Sequence, residues 1–531
     1  VTRIGRSAEG VARASAARQT AWCNVFRTTA DRRSFERAQP QSAEARQTIS
    51  PSPTMDQTFV TREQDRLLRE LSDFLAIPSV STLPAHAGDC RRAASWLMAE
   101  LRRLGCPTVT LIEGAGHPVV WAAGPHRPGR PTLLVYGHYD VQPPDPLEEW
   151  DTPPFTPTVR DGKLYARGAS DDKGQVFCIL KAYEATRDAD GMPPCNVNFI
   201  FEGEEECGGR MIFDLLRREP ERTRADAAIV LDMSYYAPGI PAVYTALRGL
   251  CYAEIAVRTL QRDLHSGTYG GVAPNAIETL VRVLAGLKDE DGEILIPKLY
   301  KSVEEPEKSE LKEWKRLPFD KEQYLRDEVT ASALTGRKGY SVFERTWALP
   351  TFEIHGIRGG FTGDGAKTVI PAQATAKVSL RLVPGQKQEK VFRQLQKAVA
   401  ALAPKWAEVE VRMMHGGDPV QVDTDAPAFA LLDEAFEEVV GRRMVHARAG
   451  GSIPIVPELG LTGAPVILTG IGLPDDGLHS PNEKLDLSQL WEGIQVFGRF
   501  LELFGERGGP EETDAGDAVP DEEPAEASAE A

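Results

Sequence analysis

The stretch Leu133-Leu-Val-Tyr-Gly-His-Tyr-Asp140 constrains this chain more than any other. Leu133 to Tyr136 have β character and Gly137 follows. A strand is therefore expected to end there and to deliver His138 and Asp140 onto the loop at its carboxyl end. In extended chain, side chains two residues apart point the same way. A His and an Asp in that position suit metal ligation, and an open α/β sheet gathers its ligands along that edge. The pair alone is weak evidence, because most His-X-Asp triplets are solvated loops. What matters is whether other strand ends supply further ligands.

Three of them do, and a loop adds a fourth source. A strand-like run at 197–201 leads into Glu202-Gly-Glu-Glu-Glu206, another at 227–231 leads into Asp232, and a third at 465–468 leads through Gly470 to Leu478-His479-Ser480. The loop Ala166-Arg-Gly-Ala-Ser-Asp171-Asp-Lys-Gly174 carries paired acids between glycines. Taken singly, these are a solvated acidic face, a turn aspartate and a glycine-flanked loop. Together on one architectural layer they point to a site. Histidines and carboxylates without cysteine suit Zn2+, Mn2+ or Co2+. Five ligands are too many for one catalytic metal that keeps an open position, but they suit two metals sharing a carboxylate.

The order of elements gives the fold class. Thr61 with Gln64 reads as a capping box for a helix carrying Leu67, Leu71, Phe74 and Leu75 on one face. A second helix near 91–104, strands at 108–112 and 119–123, and a helix at 175–185 alternate as an α/β layer with a mostly parallel sheet. From about residue 242 the pattern changes. A strand near 250–257, a helix opening at Pro274, strands at 351–355 and 374–383, a helix at 390–402 and a strand at 407–413 follow the order β-α-β-β-α-β of a ferredoxin-like α+β unit. A polar, charge-rich excursion over 298–347 interrupts it. The expected organisation is a catalytic domain of residues 56–241 and 419–505, with residues 242–418 inserted as a second domain.

At 531 residues, two or three domains of about 150 residues fit. The net charge of -17 is uneven. Residues 1–54 hold nine Arg and four acids (+5), residues 506–531 hold ten acids and one Arg (-9), and the remainder carries -13. An acidic body argues against nucleic acid and against an anionic membrane surface as partners. No window approaches the run of about 18 apolar residues that a membrane helix needs, and residues 1–54 lack the apolar core of a secretory signal, so the expected location is cytoplasmic. Those 54 residues are expected to be disordered or to lie upstream of a true start at Met55, and residues 506–531 to form a disordered acidic tail. Seven scattered cysteines read as reduced structural thiols.

At this point the chain resembles a known family: the dinuclear-metal peptidases and amidohydrolases that include cytosolic non-specific dipeptidase, carnosinase, aminoacylase, acetylornithine deacetylase and succinyl-diaminopimelate desuccinylase. The resemblance covers about residues 60 to 505 and is nearest to the dipeptidase and carnosinase branch. It is carried by Tyr136-Gly-His-Tyr-Asp-Val-Gln-Pro143, Arg167-Gly-Ala-Ser-Asp-Asp-Lys-Gly174, Glu202-Gly-Glu-Glu-Glu206, Arg248-Gly-Leu250, Asp263-Leu-His-Ser-Gly-Thr-Tyr-Gly-Gly271, Gly365-Ala-Lys-Thr-Val-Ile-Pro371, Gly450-Gly-Ser-Ile-Pro454 and Asp476-Gly-Leu-His-Ser-Pro-Asn-Glu-Lys484.

The resemblance implies two divalent metal ions per subunit, Zn2+ first and Mn2+ or Co2+ as alternatives. His138 and Asp232 would hold one, Glu206 and His479 the other, and Asp171 would bridge them. Asp140 would orient His138, Glu205 would be the general base, and the bond between Asp171 and Asp172 would be cis. In the inserted domain, which would serve as lid and dimerisation domain, His265 resembles a histidine that reaches the partner subunit's site to stabilise the oxyanion. Arg381 would clamp the substrate's α-carboxylate. Thr368, Gly451 and Ser452 resemble further substrate contacts. Ala449 departs from the pattern, standing where the dipeptidase branch often has Glu. The implied activity is hydrolysis of dipeptides or short peptides with a free C-terminal carboxylate, by a homodimer. The alternatives are an N-acyl-amino-acid amidohydrolase or carboxypeptidase of the same family and, more distantly, a catalytically silent metal-binding protein.

Overall fold

The structure, a computed structural model, describes residues 58–509 except 210, 452 and 454. The expectations for residues 1–54 and for the tail beyond 509 therefore lie outside the described residues.

Helix α1 (Thr58–Leu75) buries Leu67, Leu71, Phe74 and Leu75. It begins before Thr61, where the sequence suggests a cap, because Phe59 and Val60 are themselves buried and continue it. Helix α2 (Ala87–Arg103) buries Ala94, Leu97 and Leu101, and the chain turns at Gly105 with φ 78°. Next come β1 (Thr108–Ile112), β2 (Val119–Ala123), β3 (Thr132–His138), α3 (Lys173–Ala185), β4 (Asn196–Glu202), α4 (Met211–Arg218) and β5 (Ala227–Leu231). Strand β3 lies parallel to β4 on one side and β5 on the other. Leu133 and Val135 face one core with α1, α2 and α3, while Leu134 and Tyr136 face another with Met211 and Ile212 of α4. This alternation sandwiches the sheet between two helical layers.

Gly137 does not end β3. The strand continues to His138, opposite Glu202. A Cβ at position 137 would lie 2.5 Å from Val176 Cγ2 and 2.8 Å from Asp172 Oδ2. Glycine is there to let α3 approach, not to break the strand.

In the middle of the chain, β6 (Ala242–Leu247) leads into β7 (Gly249–Arg258), α5 (Ala276–Ala285), α6 (Lys308–Trp314), β8 (Thr351–Gly359), β9 (Gln373–Leu382), α7 (Gln388–Leu402) and β10 (Glu408–Gly417). The Asn275 side chain caps α5 by accepting from the N–H groups of Ile277 and Glu278. Pro274 therefore sits just outside the helix it was expected to open. Four strands form a sheet in the order β8-β9-β7-β10 with every pair antiparallel. Burial alternates along β7: Cys251, Ala253, Ile255 and Val257 pack with Leu280 and Val283 of α5 and Leu395 and Val399 of α7. Tyr252, Ser379 and Arg381 lie on the opposite face.

The last segment returns to the first. After α8 (Pro427–Val440), β11 (Val445–Ala449) pairs in parallel with β6, and β12 (Val466–Thr469) pairs in parallel with β5. Helix α9 (Leu487–Arg507) packs on α3 and α8. The completed six-stranded sheet runs β1-β2-β4-β3-β5-β12, with the β1-β2 and β2-β4 pairs antiparallel, so the fold is α/β with a mixed sheet. Among the described residues no helix is long and apolar enough to cross a membrane. Cys90, Cys106, Cys178, Cys195 and Cys251 are buried and unpaired, and Cys207 is exposed.

Candidate metal centre

The carboxyl ends of β3, β4 and β5 lie side by side, and seven ionisable side chains converge there. His138 closes β3 and is fully buried. Its Nε2 lies 3.1 Å from Asp171 Oδ1 and 3.9 Å from Asp232 Oδ1. The other oxygen of Asp171 lies 3.0 Å from His479 Nε2, which is also 3.2 Å from Glu206 Oε1. Two donor groups result, His138 with Asp171 and Asp232, and Asp171 with Glu206 and His479. Within each, one ligand atom per residue lies within 4.8 Å of the others, and Asp171 belongs to both. The peptide bond between Asp171 and Asp172 is cis. His479 adopts φ 59°, a conformation side chains other than glycine seldom take, and its side chain is 55 % exposed.

Asp140 joins the halves of the site. One of its oxygens is 3.4 Å from His138 Nδ1 and accepts from the Glu205 N–H at 3.3 Å, while the other accepts from the Glu206 N–H at 3.1 Å. Glu205 and Glu206 sit in a single 3-10 turn, Glu205–Cys207, closed by Gly208 at φ 64°. In so tight a turn adjacent side chains diverge, so Glu206 meets His479 while Glu205 is left beside the cluster.

The electrostatics of this cluster call for cations. Burial, then the charges of Glu206, Asp140 and Asp171, push the Glu205 carboxyl up to about 7. Burial and the charge on Asp172 push Asp232 well above its ordinary range. For Asp171 burial is outweighed by hydrogen bonds from His138 and His479, which hold its carboxyl low. The bonds it donates to Asp171 and Glu206 push the His479 imidazole up to about 10. Protons on the two histidines carry the positive charge that the carboxylates require. Divalent ions on the same nitrogen and oxygen atoms would carry it better, so the residues present fit a two-metal site.

Several supporting residues went unassigned in the sequence. Gln142 donates from Nε2 to Glu206 Oε2 at 2.8 Å, which turns the other oxygen towards His479. Asp172 accepts from the His138 N–H at 3.0 Å. Glu483 is buried and accepts from the N–H groups of Gly168, Ser170 and Asp171 at 2.9, 3.0 and 3.0 Å, with Arg167 Nη1 at 2.8 Å. Burial pushes its carboxyl up to about 7 against these bonds. The motifs containing Gln142, Asp172 and Glu483 were visible, but their roles depend on partners up to about three hundred residues away.

The remaining expected residues stand apart from the cluster. His265 is exposed in a two-stranded ladder opposite Val369, its Nδ1 accepting from the Gly267 N–H at 3.0 Å. Thr368 is exposed beside it and accepts through its carbonyl from Ser266. Among the described residues no hydrogen bond or ion pair joins His265 or Thr368 to the seven. Arg381 is half-buried on the helix-free face of β9, opposite Leu250 of β7. Gly451 is exposed just after β11, and Ser452 lies outside the described residues.

Residues 134–503 match the sequence profile of peptidase family M20/M25/M40. The chain belongs to this family, in its dipeptidase and carnosinase branch, and is a dipeptidase-like metallopeptidase. It is 32 % identical over 459 residues to the Cys-Gly metallodipeptidase of Schizosaccharomyces pombe, covering 83 % of this chain and 96 % of that one. The crystal structure of human carnosine dipeptidase 1 is similar at 30 % identity and a TM-score of 0.73, covering 86 % of this chain and all of that one. An M20 family metallo-carboxypeptidase from Sulfolobus solfataricus is similar at 29 % identity and the same TM-score, covering 83 % of this chain and all of that one.

Proposed function

We propose that this chain hydrolyses dipeptides with a free C-terminal carboxylate, using two divalent metal ions, with zinc the preferred ion, and Glu205 as general base. The observation that carries the reading is the pair of donor groups sharing Asp171, with the carboxyl of Glu205 raised beside them. His138, Asp171 and Asp232 would hold one ion and Asp171, Glu206 and His479 the other. When bound, the ions would supply Lewis acidity that lowers the pKa of a water towards neutrality and polarises the scissile carbonyl. Glu205, beside the donor groups but bonded to neither, would accept the proton of the attacking water and return it to the leaving amine. Asp140 holds His138 and the turn bearing Glu205 in fixed relation, so the base and the ligands keep one geometry.

Residues 242–418 would form the lid and dimerisation domain, with the four-stranded layer as its ferredoxin-like core. Arg381, half-buried and with its guanidinium pKa lowered by that burial, suits a bidentate clamp on the substrate carboxylate. Thr368, Gly451 and Ser452 would add contacts to the substrate. Dimerisation is supported by the free edge of β8, where Ile354 and Ile357 are exposed, and by Tyr269 and Val272 beside His265, Val272 being 81 % exposed. His265 would then reach the partner's site as oxyanion donor. Buried unpaired cysteines support a cytoplasmic location. A second reading, a carboxypeptidase that tolerates longer or acylated amino ends, is favoured by Ala449, which puts no carboxylate where an α-amine would dock.

The deciding experiment measures initial rates on Ala-Leu, N-acetyl-Leu and Ala-Leu-amide with metal-stripped, Zn2+-loaded and Mn2+-loaded protein. Fast metal-dependent cleavage of Ala-Leu alone is expected. Preference for N-acetyl-Leu would move the assignment to the acylases, and equal turnover of the amide would remove the carboxylate clamp.

A further inference from the structure

The excursion between α5 and β8 has no part in the chemistry above, yet it is fastened at two places that bear on it. At one, the Glu304 N–H donates to the Pro384 carbonyl at 3.0 Å and Gln386 Nε2 donates to the Leu299 carbonyl at 3.1 Å. Pro384 and Gln386 follow directly on β9, the strand that carries Arg381. At the other, α6 lies along β11. Arg448 donates to Glu310 through Nε and Nη2, both at 2.6 Å, the Trp314 indole donates to the His446 carbonyl at 3.2 Å, and the His446 N–H donates to Glu313 at 2.8 Å. Strand β11 runs straight into Gly450 and Gly451.

The joint between α6 and β11 is a buried ion pair, with Arg448 4 % exposed and Glu310 14 % exposed. An apolar pair of similar volume stabilises a fold as well as a buried ion pair does, and what the bidentate pair adds is a fixed direction and distance. The pairing of β11 with β6 shifts register between Ala447 and Arg448, and such an irregularity re-aims a side chain. On the other flank Arg248 Nε donates to the Gly450 carbonyl at 3.3 Å, so the loop is held from both sides.

We propose that residues 299–314 are a strut, with Glu310 and Arg448 as its joint, that sets the separation between Arg381 and the Gly450–Gly451 loop and so restricts cleavage to bonds with a single residue beyond them. Glu310 and Arg448 are positioning residues. The inference rests on the reading that Arg381 and this loop hold the substrate.

The test is Glu310→Gln in the metal-loaded full chain. The KM for Ala-Leu is expected to rise about fivefold to tenfold while kcat stays within about twofold. Release of Leu-Gly from Ala-Leu-Gly, which needs two residues beyond the scissile bond, is expected to rise relative to release of Leu from Ala-Leu. Leu501→Ala, which loosens the core under α9 in a cluster that holds no residue of 299–314, serves as the control and is expected to leave KM and this selectivity unchanged. If Glu310→Gln does not fold, Trp314→Phe removes the indole donor and part of the ring that faces Arg448 and Trp347, and a KM rise of about twofold to threefold is expected. Unchanged KM and selectivity in the strut variant, or the same change in Leu501→Ala, would overturn the proposal. If Arg381→Met leaves KM unaltered, the carboxylate clamp itself is wrong and the strut loses its purpose with it.

Discussion

At the carboxyl ends of β3, β4 and β5, seven ionisable side chains converge, and half-buried Gln142 with buried Asp172 and Glu483 fix them. Away from that cluster, His265 and Thr368 are exposed side by side and Arg381 is half-buried on β9. The difference follows from the work each region would do. Groups that would hold cations need fixed distances and a low dielectric, so all but half-exposed His479 are largely buried, and the backbone around them is bonded down. Groups that would grip a substrate have to be reached by it, so they stand on open surface and take their geometry from elements that move less than they do.

The comparison breaks if the exposed region governs turnover as strongly as the buried one. Glu205→Gln is expected to lower kcat about 10³-fold to 10⁴-fold with both metal ions still bound, checked by steady-state rates and metal analysis. A smaller loss would remove Glu205 as the base. Arg381→Met is expected to lower kcat/KM about 10²-fold, through KM, for Ala-Leu and to leave Ala-Leu-amide unaffected. Equal losses on both substrates would move Arg381 out of the carboxylate pocket. Gln142→Leu sharpens the contrast within the buried region: metal affinity is expected to fall about tenfold to a hundredfold, measured by competition with a chelator, while activity returns at saturating metal.

The smallest effect concerns the joint between α6 and β11. The hydrogen bond that the His446 imidazole donates to Glu313, more than any other interaction, raises its pKa above the ordinary value. A raised folded-state pKa gives stability that is complete below about pH 6.5 and is lost as pH rises through the folded value. Glu313→Gln is therefore expected to lower Tm more at pH 5.5 than at pH 8.5. The His446 side chain is 43 % exposed, so solvent screening keeps the difference to about 1–2 °C. Equal Tm losses at both pH values would mean that the pair carries no proton-linked stability.

Much of this arrangement was legible in one dimension. Strand ends followed by His138, Glu205 and Glu206, Asp232 and His479 are local signals, and the alternation of β3 and β7 is a local period, so the α/β layer and the clustered donors could be read directly. Boundaries were less legible where a tertiary contact outweighed a local rule. Gly137 looks like a breaker until α3 is packed against it, and Thr61 looks like a cap until Phe59 is buried. Least legible were the roles of Gln142 and Glu483, since an amide or a carboxylate in a motif does not name its partner. The excursion over 298–347 showed only as polar sequence, because its order comes from contacts with β11 and with the turn after β9.

Glu483 carries one more consequence. The loop that presents Asp171 is held by a carboxylate 312 residues further along the chain, and His479 lies just before it. A ribosome must therefore translate the whole four-stranded layer before the earlier half can close its loop, and a partly made chain has three carboxylates and one histidine where the finished one has His479 as well. Completion of the second donor group is in this way reserved for polypeptides that are almost fully synthesised.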